Sequence, residues 1–142
     1  MIDHNAYSDE YISDILKSVK SVALVGASNN PARPSWQVMK FLLDTGYDVI
    51  PVNPGHAGEK IQQREVYATL ADIPQAIDMV DIFRNSEAAG KVVDEALALL
   101  ARPKVIWMQL AIRNDEAAAK AEALGVKVVM DRCPKIELAQ PF

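Results

Sequence analysis

Residues 21–36 read SVALVGASNNPARPSW, and the reading of this stretch decides the fold. Ser21–Gly26 is an apolar run rich in β-branched residues, the composition of a buried strand. Gly26 permits a sharp exit from it, and Pro34 stands where a helix tolerates proline, at its first position. A strand, a short loop and a helix start therefore follow one another. Working outward, four more runs of the same kind occur at Tyr47–Val52, Asp78–Phe83, Lys104–Met108 and Val126–Met130. Their hydrophobicity is nearly continuous instead of alternating, as in parallel strands covered by helices on both faces.

Helical patterns lie between these runs. Residues 9–19 put Tyr11, Ile12, Ile15, Leu16 and Val19 on one stripe, with Ser8 as N-cap and Asp9 and Glu10 in the first turn. Residues 35–45 carry Val38, Met39, Leu42 and Leu43 and stop at Gly46. Residues 87–100 follow Ser86 as candidate N-cap and are expected to bury Val92, Val93, Ala96, Leu97 and Leu100. Residues 115–124 follow Asn114, run through an alanine-rich face and stop at Gly125. Between the second and third strands only a turn of helix is expected, at Thr69–Ile73, because Pro74 follows. Alternation of strand and helix implies right-handed crossovers and an α/β fold. The expectation is a single Rossmann-like, doubly wound domain over residues 1–142, with the helix at about 8–19 packed on it. Its five-stranded, mainly parallel sheet is expected in the order 3-2-1-4-5.

The 142 residues suffice for one domain; half are hydrophobic and 24% charged, as in ordinary globular proteins. No apolar run is long enough to span a membrane. Acidic residues at positions 3, 9, 10 and 14 are wrong for a secretory or transit leader. A net charge of −4 argues against a bulk grip on nucleic acid. A lone cysteine, Cys133, excludes an intrachain disulfide and fits the reducing cytoplasm. No nucleic-acid or membrane partner is expected, and a protein partner is left open.

In open α/β sheets ligands bind beyond the carboxyl ends of the strands. Here those ends lead into GASNNPARPSW, NPGHAG, RNSE, QLAIRN and DRCPKIE, which hold much of the chain's punctuation. The first loop is the natural anion site: backbone N–H groups and the dipole of the next helix favour a phosphate, Ser28 and Ser35 add hydroxyls, and Arg33 adds a cation. A dinucleotide fingerprint would read G-x-G-x-x-G, with an acid near the end of the second strand. Gly26 is present, but Ser28 and Pro31 occupy the other glycine positions and the second strand ends Val52-Asn53-Pro54. Nicotinamide dinucleotides fit poorly, and there is no Gly-Lys-Ser/Thr for a Walker loop.

Gly26-Ala27-Ser28, Arg33-Pro34-Ser35, Pro51-Val52-Asn53-Pro54, Phe83-Arg84, Trp107-Met108-Gln109 and Asp131-Arg132-Cys133-Pro134-Lys135 occur in that order. Together they resemble the stand-alone CoA-binding proteins, which are similar to the N-terminal CoA-binding domain of the succinyl-CoA synthetase alpha subunit. The resemblance runs from about Val19 to Glu137. It implies coenzyme A, or an acyl-CoA, bound at the C-terminal edge of the sheet. Carried over residue by residue, Gly26, Ala27, Ser28, Arg33 and Ser35 would line the first loop, Asn53 and Pro54 the second, Phe83 and Arg84 the third, and Gln109 the fourth. The chain departs from the family at Ile61-Gln62-Gln63-Arg64, where a more glycine-containing stretch is usual. The ligase relative bears a phosphorylated histidine in a separate downstream domain, and His56 is not that residue.

Binding without catalysis is therefore the expectation. His4 and His56 have no nucleophile at a recognisable spacing, and two histidines with one cysteine make no metal pattern. Cys133 is read as a packed small residue and Trp107 as core, while Phe83 could stack on an adenine ring. Asp78 is read as a strand start and Asp81 as locally capped or paired. Two alternatives stand beside CoA binding: an NAD(P)-dependent oxidoreductase-like protein, and a CoA-responsive interaction module.

Overall fold

The computed structural model describes residues 2–139; the outer limits of the expected domain, Met1 and residues 140–142, lie outside them. Its centre is β1 (Ser21–Val25), buried along its whole length. Val22 and Leu24 face one apolar layer and Ala23 and Val25 the other, which is why this strand reads as continuously hydrophobic. In chain order there follow β2 (Asp48–Val52), a small antiparallel hairpin of β3 (Lys60–Ile61) and β4 (Arg64–Glu65), then β5 (Met79–Ile82), β6 (Val105–Met108) and β7 (Lys127–Val129). Five of these form one parallel sheet in the order β2-β1-β5-β6-β7.

Helices α1 (Asp9–Ser18), α2 (Pro34–Thr45) and the short α5 (Pro134–Leu138) cover the Val22/Leu24 face. Helices α3 (Ser86–Leu97) and α4 (Asp115–Ala123), with a 3-10 turn at Leu70–Asp72, cover the other. Ser8 caps α1 by accepting from the Tyr11 amide at 3.1 Å, Asn114 caps α4 by accepting from Ala117, and Gly46 ends α2 with φ 109°. Among the described residues no helix is long and apolar enough to cross a membrane.

Three expectations are corrected. Asn85, not Ser86, caps α3, accepting from the Ala88 amide at 2.8 Å, while the Ser86 hydroxyl accepts from Arg113 of the next loop. That helix ends at Leu97, so Leu100 falls off the buried stripe into solvent. The third main strand, β5, lies beside β1 and not beyond β2, giving 2-1-3-4-5 for the main strands. Pro51 is the physical reason. It has no N–H for a ladder, so β2 suits an edge. The outward-facing Pro51 carbonyl accepts from the Tyr67 amide, and the Asn53 amide donates to Tyr67, so a short return segment occupies the place a third strand would need.

Candidate functional site

The 2-1-3-4-5 order puts the switch point between β1 and β5, whose following loops leave in opposite directions. The tips of these strands nearly touch. Gly26 has φ 92°, and a Cβ there would stand 2.4 Å from the Phe83 carbonyl oxygen. Glycine is therefore required both by conformation and by close approach. The Gly26 and Ala27 amides both donate to the Val52 carbonyl, at 2.9 and 3.3 Å, which draws in the tip of β2.

Asn53 locks the first two loops together. Its Nδ2 donates to the Ala27 carbonyl at 2.7 Å, and its Oδ1 accepts from the Gly55 amide at 2.9 Å, capping the 3-10 turn Pro54–His56. In the first loop Ser28 Oγ accepts from the Asn30 amide and Asn30 Oδ1 from the Ala32 amide. These local bonds shape a loop that no regular ladder supports. Arg33 stands at the N-cap position of α2 without a side-chain cap, Pro34 takes the first helical position, and Ser35 is buried behind them. The Arg33 guanidinium has no hydrogen-bond or ion-pair partner among the described residues.

Together these elements enclose a cleft of about 330 Å³ lined by Gly26, Ala27, Ser28, Arg33, Pro34, Ser35, Asn53, His56 and Phe83. Seven of the ten expected site residues thus meet. Pro54 does not line the cleft but begins the turn that brings His56 in. Arg84 is exposed outside it, and Gln109, at the tip of β6, is buried beside it on the next strand. His56 was missed as a lining residue; its signal was a position three residues beyond Asn53 in a strand-tip loop. Its Nδ1 lies 3.1 Å from Glu59 Oε2. Larger hollows exist, one of about 640 Å³ along α4 with Ile2 and His4, but no strand-tip loops converge on it. Chemistry, not volume, singles out the cleft.

A family profile described as CoA binding domain matches residues 20–139. The chain belongs to that family. Bacillus subtilis (strain 168) protein YneT is 38% identical over 125 residues, covering 88% of this chain and 90% of that protein. The acetate–CoA ligase (ADP-forming) I alpha subunit of Pyrococcus furiosus is 33% identical over 86 residues. That match takes in 58% of this chain but 19% of the ligase subunit. Among solved structures, a hypothetical protein from Pyrococcus horikoshii OT3 superposes with a TM-score of 0.87 at 39% identity, covering 96% of this chain and 94% of its own. The CoA-binding family member thus has the expected α/β fold, and the resemblance read from its motifs holds.

Other sequence readings meet the structure at the sheet. Trp107 is fully buried and its indole N–H donates to the Arg132 carbonyl at 2.8 Å, so it is core. Cys133 is buried at the start of α5. Asp78, just before β5, accepts from the Lys20 and Ser21 amides, and these bonds with nearby Lys104 outweigh desolvation and hold its carboxyl below the ordinary range. The expectation for Asp81 fails. It sits in the middle of β5 between Leu24 and Trp107, fully buried, and neither carboxyl oxygen has a hydrogen-bond partner among the described residues. Periodicity assigned it a face but could not show that the face is apolar throughout.

Proposed function

We propose that the protein binds coenzyme A, or an acyl-CoA, in the cleft between the tips of β1, β2 and β5, without catalysing a reaction on it, and that it works in the cytoplasm. The observation that carries this reading is the unpaired Arg33 guanidinium at the start of α2, in one cleft with the Ser28 and Ser35 hydroxyls and Phe83. A cation, hydroxyls and the positive end of a helix favour phosphate oxygens. An aromatic ring beside them favours a stacked base. Membership of the CoA-binding family supports the same ligand.

Titration calorimetry with CoA, dephospho-CoA and NAD tests it. Binding of CoA with weaker dephospho-CoA and no NAD heat is the expected pattern. Absence of heat from CoA at millimolar concentration overturns it, and NAD heat without CoA heat replaces it with the nicotinamide reading.

A further inference from the structure

Three buried oxygens lack a partner among the described residues: both of Asp81 and Oε1 of Gln109. They are neighbours. Asp81 pairs in register with Trp107, and the Gln109 amide continues the ladder by donating to the Ile82 carbonyl at 3.2 Å. Strand alternation puts Trp107 and Gln109 on the same face as Asp81. The two Cα atoms stand a diagonal step apart, about 8 Å from strand spacing and rise. No direct hydrogen bond joins the two side chains, and one water between them would give these oxygens the partner they lack.

The Gln109 side chain is asymmetric. Its oxygen is sealed from solvent, whereas its Nε2 is neither sealed nor bonded to any described residue. A buried amide oxygen needs a donor. Asp81 supplies one only as the neutral acid, and burial favours that state: it pushes this carboxyl well above the ordinary aspartate value, with no charged group contributing. The layer on its face of the sheet is apolar, with Leu24 and Trp107 as its register partners and Met39, Leu42 and Val105 in the same cluster. An ionised Asp81 facing an inverted amide would leave its second oxygen bare in that layer, a costly arrangement.

We propose that Asp81 is a positioning residue: its carboxylic acid donates through one buried water to Gln109 Oε1 and so holds the Nε2 group outward as a donor to a carbonyl oxygen on the ligand's arm. The proposal rests on the CoA reading. Gln109 lies at the strand tip next to Phe83, so an arm leaving the phosphate loop past Phe83 meets it. The carbonyl is an amide of the pantetheine arm or the thioester of an acyl group, which the same donor would serve.

The test has two independent arms on the full chain. In infrared spectra with carboxyl-labelled aspartate, a protonated-acid band at neutral pH should vanish in Asp81→Asn and shift in Gln109→Leu. Absence of that band, or indifference to Gln109→Leu, overturns the proposal whether or not CoA binds. In calorimetry Asp81→Leu should weaken CoA about tenfold, one hydrogen bond's worth, and leave adenosine 3′,5′-bisphosphate unchanged. Asp81→Asn, which still donates, should restore most of the affinity, and a purely structural role would not give that rescue. Equal CoA affinity in Asp81→Leu and wild type overturns the proposal; should that variant not fold, loss of the CoA-over-bisphosphate preference in Gln109→Leu decides. Greater sensitivity of acetyl-CoA than CoA to Gln109→Leu assigns the carbonyl to the acyl group. If wild type binds neither nucleotide, the CoA reading fails while the infrared arm still judges the Asp81–Gln109 coupling.

Discussion

Arg33 holds its charge at the mouth of the cleft with no carboxylate paired to it among the described residues. Arg33→Ala is expected to weaken CoA by about 1.5–3 kcal/mol, the size of a charge-assisted phosphate bond, with little effect on stability; unchanged affinity by calorimetry would make this arginine a surface charge only. Asp81 contributes in the opposite sense, through stability. Its folded-state pKa is raised above the ordinary 3.8, so the fold keeps a proton that the unfolded chain releases. The associated stability is full below about pH 3.8 and is lost as pH rises toward the folded value, at about 1.4 kcal/mol per pH unit. Urea midpoints across pH 5–8 should flatten in Asp81→Asn; an unchanged slope would mean Asp81 ionises normally. At this scale Gly26, Ser28, Arg33, Ser35 and Asn53 were legible because strand-tip loops are read directly from a strand–helix boundary. His56 and Asp81 were not, since their surroundings come from segments distant in sequence.

Among the elements, the β3–β4 hairpin departs most from what its residues prefer. Gln62 and Gln63 take φ 50° and 68°, left-handed values that a two-residue turn demands and that glycine or asparagine meets at lower cost. The departure from the family at Ile61–Arg64 is therefore a strained turn of ordinary hairpin geometry. It is held from outside: Gln62 Nε2 donates to the Trp36 carbonyl of α2, and Arg64 pairs with Asp48 of β2. Gln75 also donates to Asp48, and these bonds, the one from Gln75 first, hold its carboxyl below the ordinary range. Gln63→Gly should raise stability by about 0.5–1 kcal/mol, judged by urea unfolding. Gln62→Gly should gain less, because it also deletes the bond to α2. Helices α1 to α4 were legible to within a few residues, since periodicity and caps are local, whereas the five-residue α5 was not expected. The hairpin was not, because two-residue strands carry no periodic signal.

At the scale of the whole molecule, both edges of the sheet are closed by side routes. The β2 edge meets the return segment at Tyr67. On the β7 side, Tyr11 donates its hydroxyl to the Val128 carbonyl at 2.9 Å and Tyr7 accepts from the Met130 amide at 2.9 Å. The two rings stack 5.7 Å apart, and His4 ties Tyr7 to Glu122 of α4. This covers the unpaired backbone that an edge strand offers to other chains. Tyr7→Phe should cost about 1 kcal/mol and speed hydrogen exchange of the Met130 amide, while amides of β1 exchange as before; equal exchange at Met130 would show that the hydroxyl does not guard that edge. The sequence by itself determined the α/β class, the five buried strands and the loop that joins β1 to α2, because burial on two faces and strand-to-helix punctuation are written in neighbouring residues. Only the tertiary structure decided the strand order, the entry of His56 into the cleft and the isolation of Asp81. Each of these depends on which distant segments stand side by side, and period and composition do not encode that.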